Sequence, residues 1–223
     1  MADPYLVVFD CDGTLVDTQH TIVSAMGAVW RSAGLSPPNP AAIRRVVGLP
    51  LIEAIATLHQ DGMAADHAAL AERYKESFHA LERASGDEPL FPGIRETLAS
   101  LDAAGILLGI ATGKGRRGLA LTLGRHDLER YFVTVQTADD NPGKPSPDML
   151  LRAITEAGAS AASTMMVGDT TFDMMMARNA GVVGVGVGWG YHDSDELRAA
   201  GAAMVVDDGA ALTSALQSLM RRR

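Results

Sequence analysis

The sequence predicts an α/β fold: a doubly wound parallel sheet with an all-helical cap domain inserted after the first strand. Three observations predict it. Short apolar runs are typical of buried strands, helical patterns separate these runs from residue 93 onward, and no strand pattern occurs between residue 17 and about residue 88. Helices on both faces of a parallel sheet make its strands continuously apolar rather than alternating. A chain of 223 residues has room for one such domain and a small second module.

The first predicted strand, residues 5–10, ends in a pair of carboxylates. Asp10 closes the apolar run YLVVFD, and Asp12 and Gly13 follow at once. Burying a charge costs several kcal/mol per ion unless a cation or hydrogen bonds compensate, and glycine lets the chain turn sharply. The strand tip therefore predicts a metal-assisted active site.

Residues 17–88 are predicted to form the helical cap. Apolar residues at helical spacing and turn residues between them predict helices around 22–30, 40–47, 51–59 and 70–81. The two short helices meet at a hinge that contains Gly48. We expect residues 1–16 and 89–223 to form the α/β core, with the cap lying over the paired aspartates as a lid.

The remaining elements alternate as expected for a doubly wound sheet. Apolar runs predict strands at 106–111, 131–136, 164–168, 182–189 and 204–207. Helical patterns lie at 93–104, 146–158, 170–180, 194–201 and 209–220. The helix at 146–158 is predicted to begin with Ser146 as its N-cap and Pro147 in its first turn.

Polar side chains follow three further strands, at the edge of the sheet where ligands bind in such folds. Thr112, Gly113 and Lys114 end the second strand, Lys144 lies in the loop after the third, and Asp169 and Asp173 follow the fourth. We expect them to converge on Asp10 and Asp12. Two plainer roles stay open: Asp173 is also a favourable first-turn acid of a helix, and Lys144 is compatible with an ordinary loop lysine.

Composition limits the partners. The net charge of −8 argues against nucleic acid, because phosphate backbones demand a basic surface. No apolar stretch approaches the ~20 residues of a membrane helix, and the N-terminus lacks a secretory pattern. The single cysteine, Cys11, fits a reducing compartment. We expect a cytoplasmic monomer or homodimer with a small-molecule partner, no nucleic acid and no membrane.

The motif set resembles the haloacid dehalogenase (HAD) superfamily, in its phosphatase branch with a helical cap. The residues that carry the resemblance are DCDGT at 10–14, Thr112, Lys144 and GDTTFD at 168–173, in family order. Similarity to phosphoglycolate phosphatase-like members comes from VGLPL at 47–51, FPGI at 91–94, GKPSPDML at 143–150 and Trp-Gly-Tyr at 189–191. The resemblance implies a HAD-like Rossmannoid core.

The resemblance also implies roles for single residues. Asp10 would be the nucleophile that forms an aspartyl-phosphate, and Asp12 the acid and base that moves the proton. Thr112 and backbone at Gly113 would bind the phosphoryl group, and Lys144 would neutralise its charge. Family members often carry Asn where this chain has Gly113.

The implied cofactor is Mg²⁺. Its ligands would be Asp10, Asp12 through the backbone carbonyl, Asp169 and, directly or through water, Asp173. In the cap, Arg45 and Gly48 are candidates for substrate specificity, because an arginine there could pair with a substrate carboxylate.

The implied function is a Mg²⁺-dependent phosphatase acting on a small, phosphoglycolate-like phosphate monoester. Within the superfamily the alternatives are an inorganic pyrophosphatase, a sugar-phosphate phosphatase and a phosphomutase. From a different class, the chain could be a catalytically silent binding protein on the same scaffold.

Overall fold

A computed structural model describes residues 3–85 and 88–221. The strands of this part of the chain are β1 Leu6–Phe9, β2 Leu107–Thr112, β3 Phe132–Thr137, β4 Thr164–Gly168, β5 Val183–Val187 and β6 Met204–Val206. They form one parallel sheet in the order β3-β2-β1-β4-β5-β6. The strand order reverses at β1, so the carboxyl ends of β1, β2 and β4 meet at one edge. The predicted doubly wound α/β fold is confirmed.

Helices follow β1 without an intervening strand. They are α1 Gln19–Ser32, α2 Pro40–Arg45, α3 Leu51–Leu58 and α4 Ala64–Ser85, and together we call them the cap segment. Their buried apolar side chains, among them Trp30, Ile43 and Ile55, form a cluster separate from those against the sheet. Tyr191, which follows β5, packs against this cluster from outside the segment.

The two ends of the cap segment lie side by side. The amide of Asp17 donates to the carbonyl of Pro89 at 2.9 Å, and the amide of Phe91 donates to the carbonyl of Leu15 at 3.0 Å. This paired connection lies close to the predicted boundaries after residue 16 and residue 88, which stay a prediction.

The helices that cover the sheet are α5 Ile94–Ala103, α6 Arg116–Arg125, α7 Asp148–Ala157, α8 Thr171–Ala180, α9 Ser194–Ala200 and α10 Gly209–Arg221. Both faces of the sheet are buried. Phe9 of β1 packs in the cluster that contains Leu98 of α5, whereas its neighbour Val8 packs in the cluster that contains Met149 of α7. Burial on both faces explains why the strands are apolar at every position.

The structure differs from the predicted elements in two places. Helix α6 has no counterpart among the predicted helices, because Gly118 and Gly124 lower its helix propensity; burial of Leu119 and Leu123 compensates. The prediction that Ser146 caps α7 is wrong. Pro147 occupies the N-cap position, and the Ser146 hydroxyl instead donates to the Asp148 carboxylate.

Across residues 3–85 and 88–221, every helix is too short or too polar to span a lipid bilayer.

Candidate active site

Asp10 lies directly after β1, at the edge of the sheet where β1, β2 and β4 end. Its carboxylate is buried, with the residue 3% exposed. Oδ1 accepts a hydrogen bond from the amide of Cys11 at 2.7 Å, and Oδ2 lies 2.7 Å from Nζ of Lys144. Burial, only partly offset by Lys144, raises the pKa of Asp10 to about 6. Asp10 is thus a buried carboxylate held in one orientation.

Lys144 links two of the predicted acids. Its ammonium lies 2.7 Å from Oδ2 of Asp10 and 2.6 Å from Oδ1 of Asp173, and its side chain is fully buried. Burial alone would lower the pKa of Lys144, but Asp10 and Asp173 raise it overall. The lysine therefore stays charged and provides the positive charge behind Asp10.

Asp169 follows β4 and is enclosed by polar donors. Its Oδ1 accepts from the Thr14 hydroxyl at 2.7 Å, and its Oδ2 accepts from the amide of Tyr191 at 2.9 Å. Burial, together with Asp173 and Asp10, raises the pKa of Asp169 well above its usual range. A Cβ placed at Gly13, where φ is +85°, would lie 2.3 Å from Oδ2 of Asp169. The glycine after Asp12 thus permits the close approach of the two loops.

Asp173 serves the helix and the site at once. Its Oδ2 accepts from the amide of Thr170 at 3.0 Å and from the Thr170 hydroxyl at 2.7 Å, which completes a capping box at the start of α8. Its Oδ1 faces Lys144. Helix capping and a place in the acid cluster are therefore compatible roles.

Three buried carboxylates suit a hard cation. Asp10, Asp169 and Asp173 each offer an oxygen, and the three oxygens lie within 4.8 Å of one another. If all three are ionised, their charge exceeds that of the single ammonium of Lys144. Oxygen ligands with excess negative charge are what Mg²⁺ prefers, so the donor set fits the predicted cofactor. The side chain of Asp12 lies outside this trio.

Asp12 points instead toward a second lysine. Its Oδ1 accepts from Nζ of Lys114 at 3.0 Å, and that ammonium lies 4.6 Å from the centre of the Phe78 ring on α4. Burial would lower the pKa of Lys114, but Asp12 raises it overall. The contact with Phe78 could not be predicted from the sequence, because an aromatic residue on an apolar helical stripe gives no sign of what it contacts.

Thr112 and Gly113 lie beside the two aspartates. Thr112 is buried at the end of β2, and its Oγ1 accepts from the amide of Lys114 at 3.1 Å. A Cβ at Gly113 would meet only the carbonyl oxygens of Gly48 and Leu49, each at 3.9 Å. Open space at Gly113 suits the approach of a phosphoryl group to the backbone.

A cavity of about 500 Å³ lies between the cap segment and this edge of the sheet. Asp10, Asp12, Thr112 and Gly113 line it from the core, and Gly48 lines it from the cap segment. The structure thus brings Gly48 to the site, and a Cβ there would lie 2.9 Å from Oγ1 of Thr170.

Arg45 is placed elsewhere. Its guanidinium lies 2.5 Å from Oε1 of Glu196 on α9, and its side chain is exposed. Arg45 is outside the set of residues that line the cavity. The arginine joins the cap segment to the core rather than facing the site.

The aromatic residues after β5 complete the enclosure of the acid cluster. Nε1 of Trp189 donates to the carbonyl of Thr14 at 3.1 Å, and the hydroxyls of Tyr191 and Thr18 lie 3.0 Å apart. Trp189 and Tyr191 are absent from the predicted site residues, although their position directly after a buried strand was a signal for a place at this edge of the sheet.

Known proteins are similar over nearly the whole chain. The family model for haloacid dehalogenase-like hydrolases matches residues 7–187. A protein named probable phosphatase IndB from Dickeya dadantii is 38% identical over 219 residues, covering 97% of this chain and 95% of the relative. A protein named phosphoglycolate phosphatase from Agrobacterium fabrum is 35% identical over 216 residues, covering 95% and 91%. A solved structure of a hydrolase from Pseudomonas syringae matches with a TM-score of 0.86 and 28% identity, covering 97% of this chain and 99% of that chain.

These similarities confirm the predicted family and its hydrolase class. The chain belongs to the haloacid dehalogenase-like hydrolase family.

Proposed function

We propose that this protein is a Mg²⁺-dependent phosphatase that hydrolyses a small phosphate monoester through an aspartyl-phosphate on Asp10. The observation that carries the proposal is that two carboxylates, Asp10 and Asp12, line the cavity from the core. Asp10 is buried and fixed by Lys144, and Asp12 lines the same cavity two residues later. The names of the two relatives, both phosphatases, support the same reaction class.

In the first step, a carboxylate oxygen of Asp10 attacks phosphorus while the bond from phosphorus to the ester oxygen breaks. Asp12, once it has taken up a proton, gives that proton to the leaving oxygen, so an alcohol departs and the Asp12 carboxylate can again pair with Lys114. The Thr112 hydroxyl and the backbone at Gly113 hold the phosphoryl oxygens. Lys144, already charged beside Asp10, offsets the negative charge that gathers there.

In the second step, water attacks phosphorus and Asp12 accepts the proton. The bond between phosphorus and Asp10 breaks, which releases inorganic phosphate and restores the carboxylate. Asp10, Asp169, Asp173 and the backbone of Asp12 would hold Mg²⁺, which neutralises charge on the substrate when bound. We further propose the two-domain division at residues 17–88, a cytoplasmic location, and a monomeric or homodimeric state.

The test is phosphate release from a panel of monoesters with Mg²⁺ present, including para-nitrophenyl phosphate and phosphoglycolate. Asp10→Asn should abolish turnover, and a chelator should silence the parent until Mg²⁺ is restored. Asp195→Asn is the matched control, because that carboxylate is 96% exposed and pairs only locally with Arg198.

Three outcomes would contradict the proposal. Substantial turnover by Asp10→Asn would exclude Asp10 as the nucleophile. Isomerised product with little free phosphate would indicate a phosphomutase. No phosphate from any ester would favour a silent binding protein on this scaffold.

A further inference from the structure

The cap-segment side of the cavity is largely apolar, although Glu72, Tyr74, Lys75 and His79 of α4 also line it. Its lining includes side chains from all four cap helices and the turn after α2: Ile22, Met26, Ile43, Val47, Leu51 and Phe78. Ile52 of α3 also lines the cavity and is 53% exposed. Ile22, Met26, Ile43 and Phe78 are themselves buried, whereas Val47, Leu51 and Ile52 keep exposed surface that an apolar ligand group would cover favourably. The part of the ligand that extends away from Asp10 therefore meets a hydrocarbon surface.

The size of the cavity points the same way. Its volume of about 500 Å³ exceeds what a phosphoryl group and a two-carbon acid would fill, since one water takes roughly 30 Å³. A carboxylate placed against Val47, Leu51 and Ile52 would lose hydration without gaining a partner from these side chains. A bulky apolar group would fill the space without that penalty.

The lysines that line the cavity already have carboxylate partners. Lys114 pairs with Asp12, and Lys75 lies 2.8 Å from Glu72 with both side chains exposed. Arg117, the remaining basic residue with a permanent charge among the lining residues, is exposed on α6 of the core. These cations are therefore paired with carboxylates or exposed to solvent. None of them is an unpaired charge buried among the apolar side chains of the cap segment that line the cavity, which we call the apolar wall.

We propose that the substrate is a phosphate monoester whose alcohol carries an apolar group of about benzyl size, bound against the cap segment. This inference rests on the proposed function for the phosphoryl end of the substrate and adds the chemical class of the leaving group. The phosphoryl group lies at Asp10 and Thr112, and the apolar group contacts Val47, Leu51 and Ile52.

The first test compares benzyl phosphate, ethyl phosphate and phosphoglycolate at equal Mg²⁺. Benzyl and ethyl phosphate both release simple alcohols, so their difference reports mainly on the apolar group. Burying that group predicts a kcat/KM for benzyl phosphate roughly 10- to 100-fold above that for ethyl phosphate. Equal values for the two esters, or a preference for phosphoglycolate, would overturn the inference while leaving the phosphatase proposal intact.

A pair of variants tests whether the preference for benzyl phosphate over ethyl phosphate arises in the cavity. Ile52→Asp should lower kcat/KM for benzyl phosphate about tenfold more than for ethyl phosphate. Leu151→Asp is the matched control, because Leu151 is 46% exposed on α7 and does not line the cavity. Both substituted side chains are exposed, so thermal unfolding should show that both variants are folded. An equal loss of kcat/KM for benzyl and ethyl phosphate in Ile52→Asp would contradict the placement of the apolar group in this cavity.

A binding measurement keeps the inference testable if no ester is hydrolysed. Benzylphosphonate should bind roughly tenfold more tightly than ethylphosphonate in calorimetry with Mg²⁺, and Ile52→Asp should reduce that ratio. Binding preference without turnover would refute the phosphatase proposal alone. No difference between the two phosphonates would refute the apolar site.

Discussion

Replacing the nucleophile should stabilise the metal-free protein. Asp10 is buried, and its pKa is raised from 3.8 to about 6. Because the folded pKa lies above the unfolded one, the folded state binds more protons, and ionised Asp10 destabilises the fold as pH rises through this window. Asp10→Asn removes that ionisation. We therefore expect the inactive variant to be more stable than its parent at about pH 8 and close to it at about pH 4.

The size of the stability gain in Asp10→Asn follows from the rise in the pKa of Asp10. About two pKa units correspond to about 3 kcal/mol in the free energy of unfolding. In a chain of this length, 1 kcal/mol moves the midpoint of thermal unfolding by about 2–4 °C, so the gain reaches about 6–12 °C. The figure is an upper value, because the amide of Asn would face the ammonium of Lys144. Lys144 keeps its second partner, Asp173, at 2.6 Å.

The assay is thermal unfolding in excess chelator at several pH values, with Asp195→Asn as the control that should follow the parent throughout. Added Mg²⁺ should reverse the order, because the parent retains all three carboxylates of the acid cluster. At a thousandfold excess over the dissociation constant, binding contributes about 4.1 kcal/mol to the parent, which exceeds the gain of about 3 kcal/mol in the variant. A variant less stable than its parent at about pH 8, or a difference that does not change with pH, would refute the reasoning.

Two further predictions concern residues around the aspartates. Lys114→Met removes the partner of Asp12 and should lower kcat roughly tenfold or more, measured by phosphate release; an unchanged kcat would show that the 3.0 Å pair is dispensable. Gly13→Ala should unfold at a much lower temperature than the parent, because its Cβ would lie 2.3 Å from Asp169, whereas Gly113→Ala meets only atoms at 3.9 Å. Equal unfolding temperatures for these two variants would contradict the close packing of Gly13 against Asp169.

The sheet and the acid cluster could be predicted from the sequence for a physical reason. Burial on both faces makes β1 and β4 continuously apolar, so each strand and its end can be recognised. The carboxyl ends of parallel strands then meet at the switch point, which is where Asp10, Thr112 and Asp169 were expected together. The convergence of these residues could therefore be predicted without any knowledge of side-chain packing.

The contacts of the cap segment depend on packing and could not be predicted in that way. Asp12 and Lys114 are 102 residues apart in the chain, and Lys114 meets Phe78 only because α4 lies against the core. Arg45 was a candidate for contact with a substrate carboxylate, yet Glu196 holds it on the surface. Local periodicity indicates which face of a helix is apolar, but not which charged group lies beneath it.

The contacts between cap segment and core involve the active-site motifs themselves. Phe78 lies over Lys114, which holds Asp12, and Gly48 packs on Thr170, which holds Asp173. Any opening of the cap segment would remove the ring from Lys114 and admit water to its pair with Asp12, weakening that pair. The acid and base of the proposed reaction is therefore fully positioned only when the cap segment lies against the core. The apolar wall is also in place only then, so the same arrangement that would bind the leaving group also positions the residue that would protonate it.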